Sequence, residues 1–231
     1  DFSTLEEDMI INDLVVVEKK IERIEQDMKR GNRQEQEMVP LMQACRELLE
    51  KNDPIRMNPE LASAPLLRGF TFLSAKPRMV IVNNDDEDES LPEWTPKQGD
   101  ALVVRGKIEM EIATMSPEDA AEFLSEYHIE KSALDRVIQK SYTLLNLLSF
   151  FTVGEDEVKA WTIRKETPAV EAAGAVHSDI QQGFIRAEVL SHDDLRSAGS
   201  FQEAKKAGTV RLEGKEYRVK DGDIINFRFN I

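Results

Sequence analysis

The feature that most limits how this chain can fold is an apolar seam near its start. Ile10, Leu14, Val17, Ile21, Ile24 and Met28 recur at spacings of 4, 3, 4, 3 and 4. That rhythm keeps one stripe of a helix apolar over about three heptads, with Glu and Lys on the flanks. A helix over residues 3–30 is therefore predicted, opened by Ser3 or Thr4 with Glu6 or Glu7 in a capping box. Lys29, Arg30 and Gly31 form its stop: cations at the negative helix end, then a residue that accepts left-handed backbone. Residues 34–51 carry a second seam, Met38, Leu41, Cys45 and Leu48, with Pro40 either starting or kinking the regular helix. Two such helices joined by a short polar break favour an antiparallel hairpin. The alternative is that both pack on a globular core. Cys45 lies on the seam and reads as a small core residue.

Prolines at 54, 59 and 65 mark a boundary, after which the pattern changes. Met79–Val82 is a continuous, largely β-branched run that reads as a strand buried on both faces, as in a parallel sheet, and Ala101–Val104 reads as a second such strand. The acidic residues 85–89 between them form a solvated loop. Helices are expected over 117–126, capped by Ser116, and over 132–146, with Leu134, Val137, Ile138, Tyr142 and Leu145 inward. From there strands are predicted at 149–153, 158–164, 184–189, 210–212, 217–219 and 224–229. Helical stretches at 169–182 and 193–207 separate them. Strand, strand, helix, strand, helix and short strands over some 80 residues suggest a sheet of β-grasp type with a helix across it. Trp161 and Phe151 are read as packing that sheet.

Composition narrows the class. With 231 residues, 41% hydrophobic and 32% charged, the chain can support real cores, and no apolar run is long enough to cross a bilayer. It starts at Asp1 without a basic, apolar leader, so no secretory signal is expected and a fragment or processed product is suggested. A single cysteine fits a reducing compartment, hence a cytoplasmic protein. The net charge of −14 is uneven: residues 150–231 hold 12 basic against 14 acidic side chains, leaving a nearly neutral C-terminal part that could meet nucleic acid.

Three stretches carry a family resemblance: Phe150-Phe151-Thr152-Val153-Gly154-Glu155 through Val158–Arg164, Ala172–Asp179 followed by Gly183–Val189, and the tail Lys220–Asn230. Together with the heptad hairpin, they resemble the C-terminal part of the YchF or Obg-like ATPase family. The resemblance implies an α+β chain of three parts: a helical coiled-coil hairpin (3–56), an incomplete α/β nucleotide-binding remnant (57–147) and a β-grasp, ubiquitin-like TGS domain (148–231). It also implies ATP or GTP with Mg as cofactor, and a ribosome or RNA as partner.

A phosphate-binding loop needs two glycines four residues apart before Lys-Ser/Thr. The nearest approach, Gly208 to Gly214-Lys215, has five intervening residues and is followed by Glu216. No catalytic or metal residues are therefore assigned, and no catalysis is expected from this chain alone. What the resemblance leaves is base reading. Asn83-Asn84-Asp85-Asp86 stands where the family has Asn-x-x-Glu, so Asn83, Asn84 and Asp86 are the candidate nucleotide contacts, with Arg105-Gly106-Lys107 as the companion loop.

Arg164, Lys165 and Arg186 are the first candidates for RNA phosphate, with Lys205-Lys206 and Arg211 behind them. No aromatic residue interleaves them, so sequence-specific reading, of DNA in particular, is not expected. His128, His177 and His192 fit no metal spacing, and His177 reads as structural. A ribosome-associated binding module, favoured as a monomer, is the leading expectation. Membership of a complete ATPase with its phosphate loop upstream is the alternative, and an oligomerising coiled coil is the third.

Overall fold

The computed structural model describes residues 2–92, 100–126, 129, 131–154 and 157–230. The chain divides into two compact units, Asp1–Ala133 and Leu134–Ile231. No helix among the described residues is long and apolar enough to cross a membrane.

The first unit is built on α1 (Phe2–Lys29), whose 28 residues extend about 42 Å. Its seam behaves as the spacing predicts: Ile10, Val17, Ile21 and Ile24 are buried. The helix stops after Lys29. Gly31 takes φ +87° while its N–H bonds Met28 O and that of Asn32 bonds Asp27 O, a Schellman closure that satisfies the last carbonyls. A short 3₁₀ turn leads into α2 (Val39–Glu50). Pro40 sits in its first turn, where a missing N–H breaks no helical bond, so it starts the helix rather than kinking it.

Partners step backward along α1 as the chain advances. Lys20 meets Glu35, Asp13 lies near enough to Cys45 to act on its thiol, and Glu6 pairs with Arg56. The helices therefore run antiparallel. The second seam keeps Cys45 but is otherwise turned, with Met42 and Leu49 buried in place of Leu41 and Leu48, which are half-buried beside them. The cause is a third surface. Ile55, Leu61, Leu67 and Phe72, from the turns that follow and from α3 (Pro59–Ser63), join the same core and draw the buried face of α2 toward them. Hairpin and shared core coexist.

Buried polar groups lock this arrangement. The Asp13 carboxylate, 1% exposed, accepts the N–H groups of Leu73 (3.0 Å) and Ser74 (2.7 Å). The Ser74 carbonyl accepts from Arg56 N at 3.0 Å, and Arg56 and Arg78 both pair with Glu6.

Beyond this core, β1 (Met79–Asn83) and β2 (Asp100–Val104) pair in parallel, Met79 opposite Asp100 through Asn83 opposite Val104. The expectation that β1 is buried on both faces is corrected. None of its residues is buried and Ile81 is 49% exposed, because the sheet has only these two strands among the described residues. Then come α4 (Gly106–Ile112), which the sequence did not announce, and α5 (Pro117–Glu126), capped by Ser116 as predicted through Asp119 N to Ser116 Oγ at 3.2 Å. α6 (Ala133–Leu144) forms as expected, but its inward set is corrected. Leu134, Ile138 and Leu145 are exposed, while Val137 and Tyr142 are half-buried.

The second unit holds a five-stranded sheet ordered β4-β3-β7-β5-β6: β3 (Leu147–Val153), β4 (Val158–Arg164), β5 (Phe184–Leu190), β6 (Arg211–Glu213) and β7 (Ile224–Phe229). First and last strands, β3 and β7, lie parallel at its centre, and the other pairs are antiparallel. One face, with Leu148, Phe150, Ile163, Val189, Ile225 and Phe227, packs against α7 (Ala169–Val176) and α8 (Ser178–Gln182). Trp161 packs there too. Phe151 belongs to the opposite face, where Leu190 and Ile224 meet Ala204 and Phe201 of α10 (Phe201–Lys206) and Leu195 of α9 (His192–Ala198).

Asp221-Gly222-Asp223 splints the central pair: Asp221 Oδ1 accepts Ser149 N, Gly222 N donates to Ser149 O, and Phe151 N to Asp223 O, each at 2.8 Å. The expected strand at 217–219 is not present. That stretch makes a single bridge, Arg218 to Pro168, because the Tyr217 hydroxyl and the Lys220 backbone N–H both bond the buried Asp223 carboxylate. The whole is the mixed α+β class read from the sequence.

Two outcomes test the first unit. Asp13→Ala orphans two buried N–H groups and is expected to cost about 3 kcal/mol in urea unfolding, with Asp13→Asn milder. Burial, reinforced by Asp13, pushes the Cys45 thiol up to about 12. Native protein at pH 8 should therefore resist a thiol reagent that labels the urea-unfolded chain fully. Stoichiometric native labelling within minutes would contradict that burial.

Candidate functional site

Parallel strands bring their carboxyl ends to one edge, and the turns that leave them define a crevice there. Here β1 ends in Asn83 and β2 in Val104, directly paired. The loop after β1 therefore faces the start of α4 across an open cleft of about 440 Å³. Asn83, Asn84, Asp85, Asp86, Glu87 and Lys107 line it. Of the three residues predicted as nucleotide contacts, Asn83 and Asp86 bond the companion loop predicted with them, and Asn84 lines the same cleft.

Each has a defined job. Asn83 Oδ1 accepts the Gly106 N–H at 2.9 Å, leaving the amide N–H₂ without a partner among the described residues. Gly106 permits this approach, since a Cβ there would stand 2.8 Å from Asn83 Oδ1. Asn84 is a structural clamp: its N–H bonds Val104 O at 2.9 Å and its side chain donates to Ser90 O at 2.7 Å. Asp86 Oδ2 pairs with Lys107 Nζ at 2.9 Å, and that bond raises the Lys107 ammonium above its ordinary value. Arg105 braces the loop from behind, through Asp86 O and the Glu89 carboxylate (3.0 Å). Ser90 bonds Asp88 and holds its carboxyl below the usual range. Among the described residues no group of three or more His, Cys, Asp and Glu side chains is placed to hold a metal ion.

The basic candidates are not gathered in one place. Arg164 and Lys165 are exposed at the end of β4, Arg186 on β5. Arg164 is level with Leu147, while Arg186 is level with Arg228; the Phe151–Ile224 pairing places these two levels eight residues apart along the sheet. At 3.3 Å per residue, with three strand spacings between, the separation is about 30 Å. Lys205 and Arg228 converge elsewhere, on the buried Glu188, with Asn226 as a third donor. Burial pushes the Glu188 carboxyl up, but these bonds outweigh it and hold it below its ordinary value. Arg211 is taken by Glu213 and Tyr217. His177 caps α8, its Nδ1 accepting Asp179 N at 3.2 Å, which agrees with a structural histidine; His128 lies outside the described residues.

Comparisons with known proteins converge on one family. Residues 147–230 match the model YchF-GTPase_C, described as a protein of unknown function (DUF933). The whole chain aligns at 37% identity with the ribosome-binding ATPase YchF of Bacillus subtilis. It aligns at 36% with Obg-like ATPase 1 of japonica rice. The structure of the Schizosaccharomyces pombe YchF GTPase superposes on 99% of the chain, with a TM-score of 0.83 at 27% identity.

The chain belongs to the YchF family. It spans 66% of the length of the Bacillus relative, 62% of the rice one and 65% of the S. pombe chain. Within this YchF-family chain, Glu188 with its three donors and the Asp221–Asp223 splint are the groups that the sequence alone did not reveal. For Glu188 the signal was present as one of two charged residues, with Arg186, in the otherwise apolar strand Phe184–Leu190.

The Asn83–Gly106 contact is testable by a double-mutant cycle. Gly106→Ala is expected to destabilise the wild type by about 1 kcal/mol more than it destabilises the Asn83→Ala background. Strict additivity would show that the two loops do not touch.

Proposed function

We propose that this chain supplies the base-binding end of a nucleotide site, and a ribosome-docking sheet, to a YchF-type ATPase or GTPase. The observation that carries the first half is the meeting of Asn83 with Gly106 and Lys107 at the carboxyl ends of two parallel strands. An open crevice there is where α/β sheets take their ligands. In this reading the crevice takes the base of ATP or GTP, with Mg²⁺ on the phosphates, as the family resemblance implies. Phosphate binding and hydrolysis then fall to residues outside this chain.

The second half rests on relatives whose names call them ribosome-binding. In this reading residues 3–56 are an arm, 57–147 the nucleotide-binding remnant and 148–231 a TGS domain that docks on ribosomal RNA in the cytoplasm. Arg164 with Lys165, and Arg186 separately, are its phosphate-binding groups. At about 30 Å apart they would touch different stretches of backbone.

Ribosome co-sedimentation at graded salt tests the docking half. Arg186→Glu and Arg164→Glu/Lys165→Glu are each expected to weaken pelleting. Each should also flatten its salt dependence, by about one unit of log-log slope for every phosphate no longer neutralised. Combined, their effects should add, because the sites do not touch. Pelleting unchanged by both at low salt would remove the docking assignment.

A further inference from the structure

The five-stranded sheet has two free edges, and they are not alike. On one side β6 ends it after three residues, and so short a strand blunts that edge. On the other side β4 runs for seven residues, regular throughout, with neither proline nor bulge. Its register against β3 tells which backbone groups look outward. Gly154 N bonds Glu157 O and Lys165 N bonds Asn146 O, each at 2.8 Å, so the odd-numbered residues of β4 bond β3. The N–H and C=O groups of Val158, Ala160 and Thr162 therefore point away from the sheet. They meet no partner among the described residues. Arg164 closes the edge, its carbonyl taken by the Thr167 N–H and hydroxyl.

Natural sheets guard an open edge with a charge, a proline or a bulge. The charge within this stretch is Lys159, and its ammonium lies 4.4 Å from the centre of the Trp161 ring. Both side chains stand on the face that meets α7 and α8, so Lys159 is folded back along its own strand and leaves the edge open. On the opposite face Val158 is 68% exposed and Ala160 is exposed, and the Thr162 hydroxyl meets that of Tyr142 at 2.9 Å.

Charge says what fits. In sequence β4 is entered through Glu155-Asp156-Glu157 and left through Arg164-Lys165. A strand with one acidic and one basic end matches its own copy turned end for end, acid beside base at both ends. Parallel copies would set like beside like. We infer that β4 pairs antiparallel with the β4 of a second copy of this chain, about a two-fold axis at Ala160. In that register Val158 exchanges both backbone bonds with the partner's Thr162, and Ala160 with the partner's Ala160. Two β-branched side chains meet across the strands, and the small Ala160 sits at the axis. Lys159 then stands across from the partner's Trp161, within reach of a second ring.

This pairing needs neither the nucleotide nor the ribosome reading. It does claim the Arg164–Lys165 end of the strand, so at that end self-pairing and RNA are alternatives, while Arg186 is untouched. One strand pair buries well under the roughly 1,200 Å² of a stable interface, so the dimer is weak, with Kd on the order of 100 µM. The monomer expected from the sequence is then the dilute form.

Sedimentation equilibrium of the whole 231-residue chain, from about 10 µM to about 1 mM, brackets such a Kd. The average mass should climb from monomer toward dimer. Raising salt from about 50 to about 500 mM should weaken the dimer roughly fivefold. Ala160→Pro removes an N–H that points outward, so the β3 ladder stays whole, and it should remain monomeric at every concentration. Ala160→Cys locates the axis. Mild oxidation should link its two copies, since paired Cα atoms lie about 5.5 Å apart. Val158→Cys should not link, because its mate in the other copy is about four residues away, ~13 Å. The buried Cys45 does not compete.

A strict monomer at the highest concentration in low salt would overturn the pairing and leave the edge to a strand from another protein. A dimer that survives Ala160→Pro with an unchanged melting temperature would also overturn it, and would place the contact elsewhere, the helical seams included. Should Ala160→Pro fail to fold, the cysteine variants decide alone. Linkage at 160 and not at 158 supports the pairing; equal linkage, or none, sinks it.

Discussion

A carboxylate sealed from water must find donors in the protein, and Asp13 finds two in the backbone of Leu73 and Ser74. Much else in the first unit depends on that demand. It brings a segment 60 residues downstream against the middle of α1, so the turns after α2 close over the hairpin instead of trailing from it. Ser74 in turn receives Arg56, and Arg56 shares Glu6 with Arg78, nearer the start of the helix. Burial of this kind is costly when incomplete, which is why it specifies one arrangement so sharply. The same alignment sets the approach to β1, since Arg78 immediately precedes Met79.

The second unit solves a related problem on a sheet. Glu188 lies on the face opposite the main core, 2% exposed, and would be intolerable there alone. Lys205 reaches it from α10, and Asn226 and Arg228 from the neighbouring strand. Charge that composition alone would count as free for RNA is thus consumed internally. Arg186, directly across from Arg228, is left with its charge uncompensated among the described residues.

The fold was most legible where the governing physics is local. The span of α1, its glycine stop, the Ser116 cap and the carboxyl-end loop at Asn83 all depend on residues within a turn or two of each other. It was less so where a third element intervenes. The α2 seam turned about Cys45, burying Met42 and Leu49, because the segment from Ile55 to Phe72 competes for its face. Tyr217 to Val219 left the sheet because Asp223 recruits Tyr217 and Lys220. The exposed Leu134 and Ile138 show the limit of a helical stripe read alone: periodicity names a face, but only a neighbour can bury it.

By itself the sequence determined the order and type of most elements, the α+β class, the family and the residues that would stand at the strand ends. Periodicity, capping and strand-end turns are short-range properties, written in consecutive residues. Only the tertiary structure decided that Asn83 and Gly106 touch across 23 positions, that Asp86 holds Lys107, and that Arg164 and Arg186 stand far apart. Those facts follow from strand register and from where buried charges find partners. Both are settled between segments distant in the chain, after the local pieces have formed.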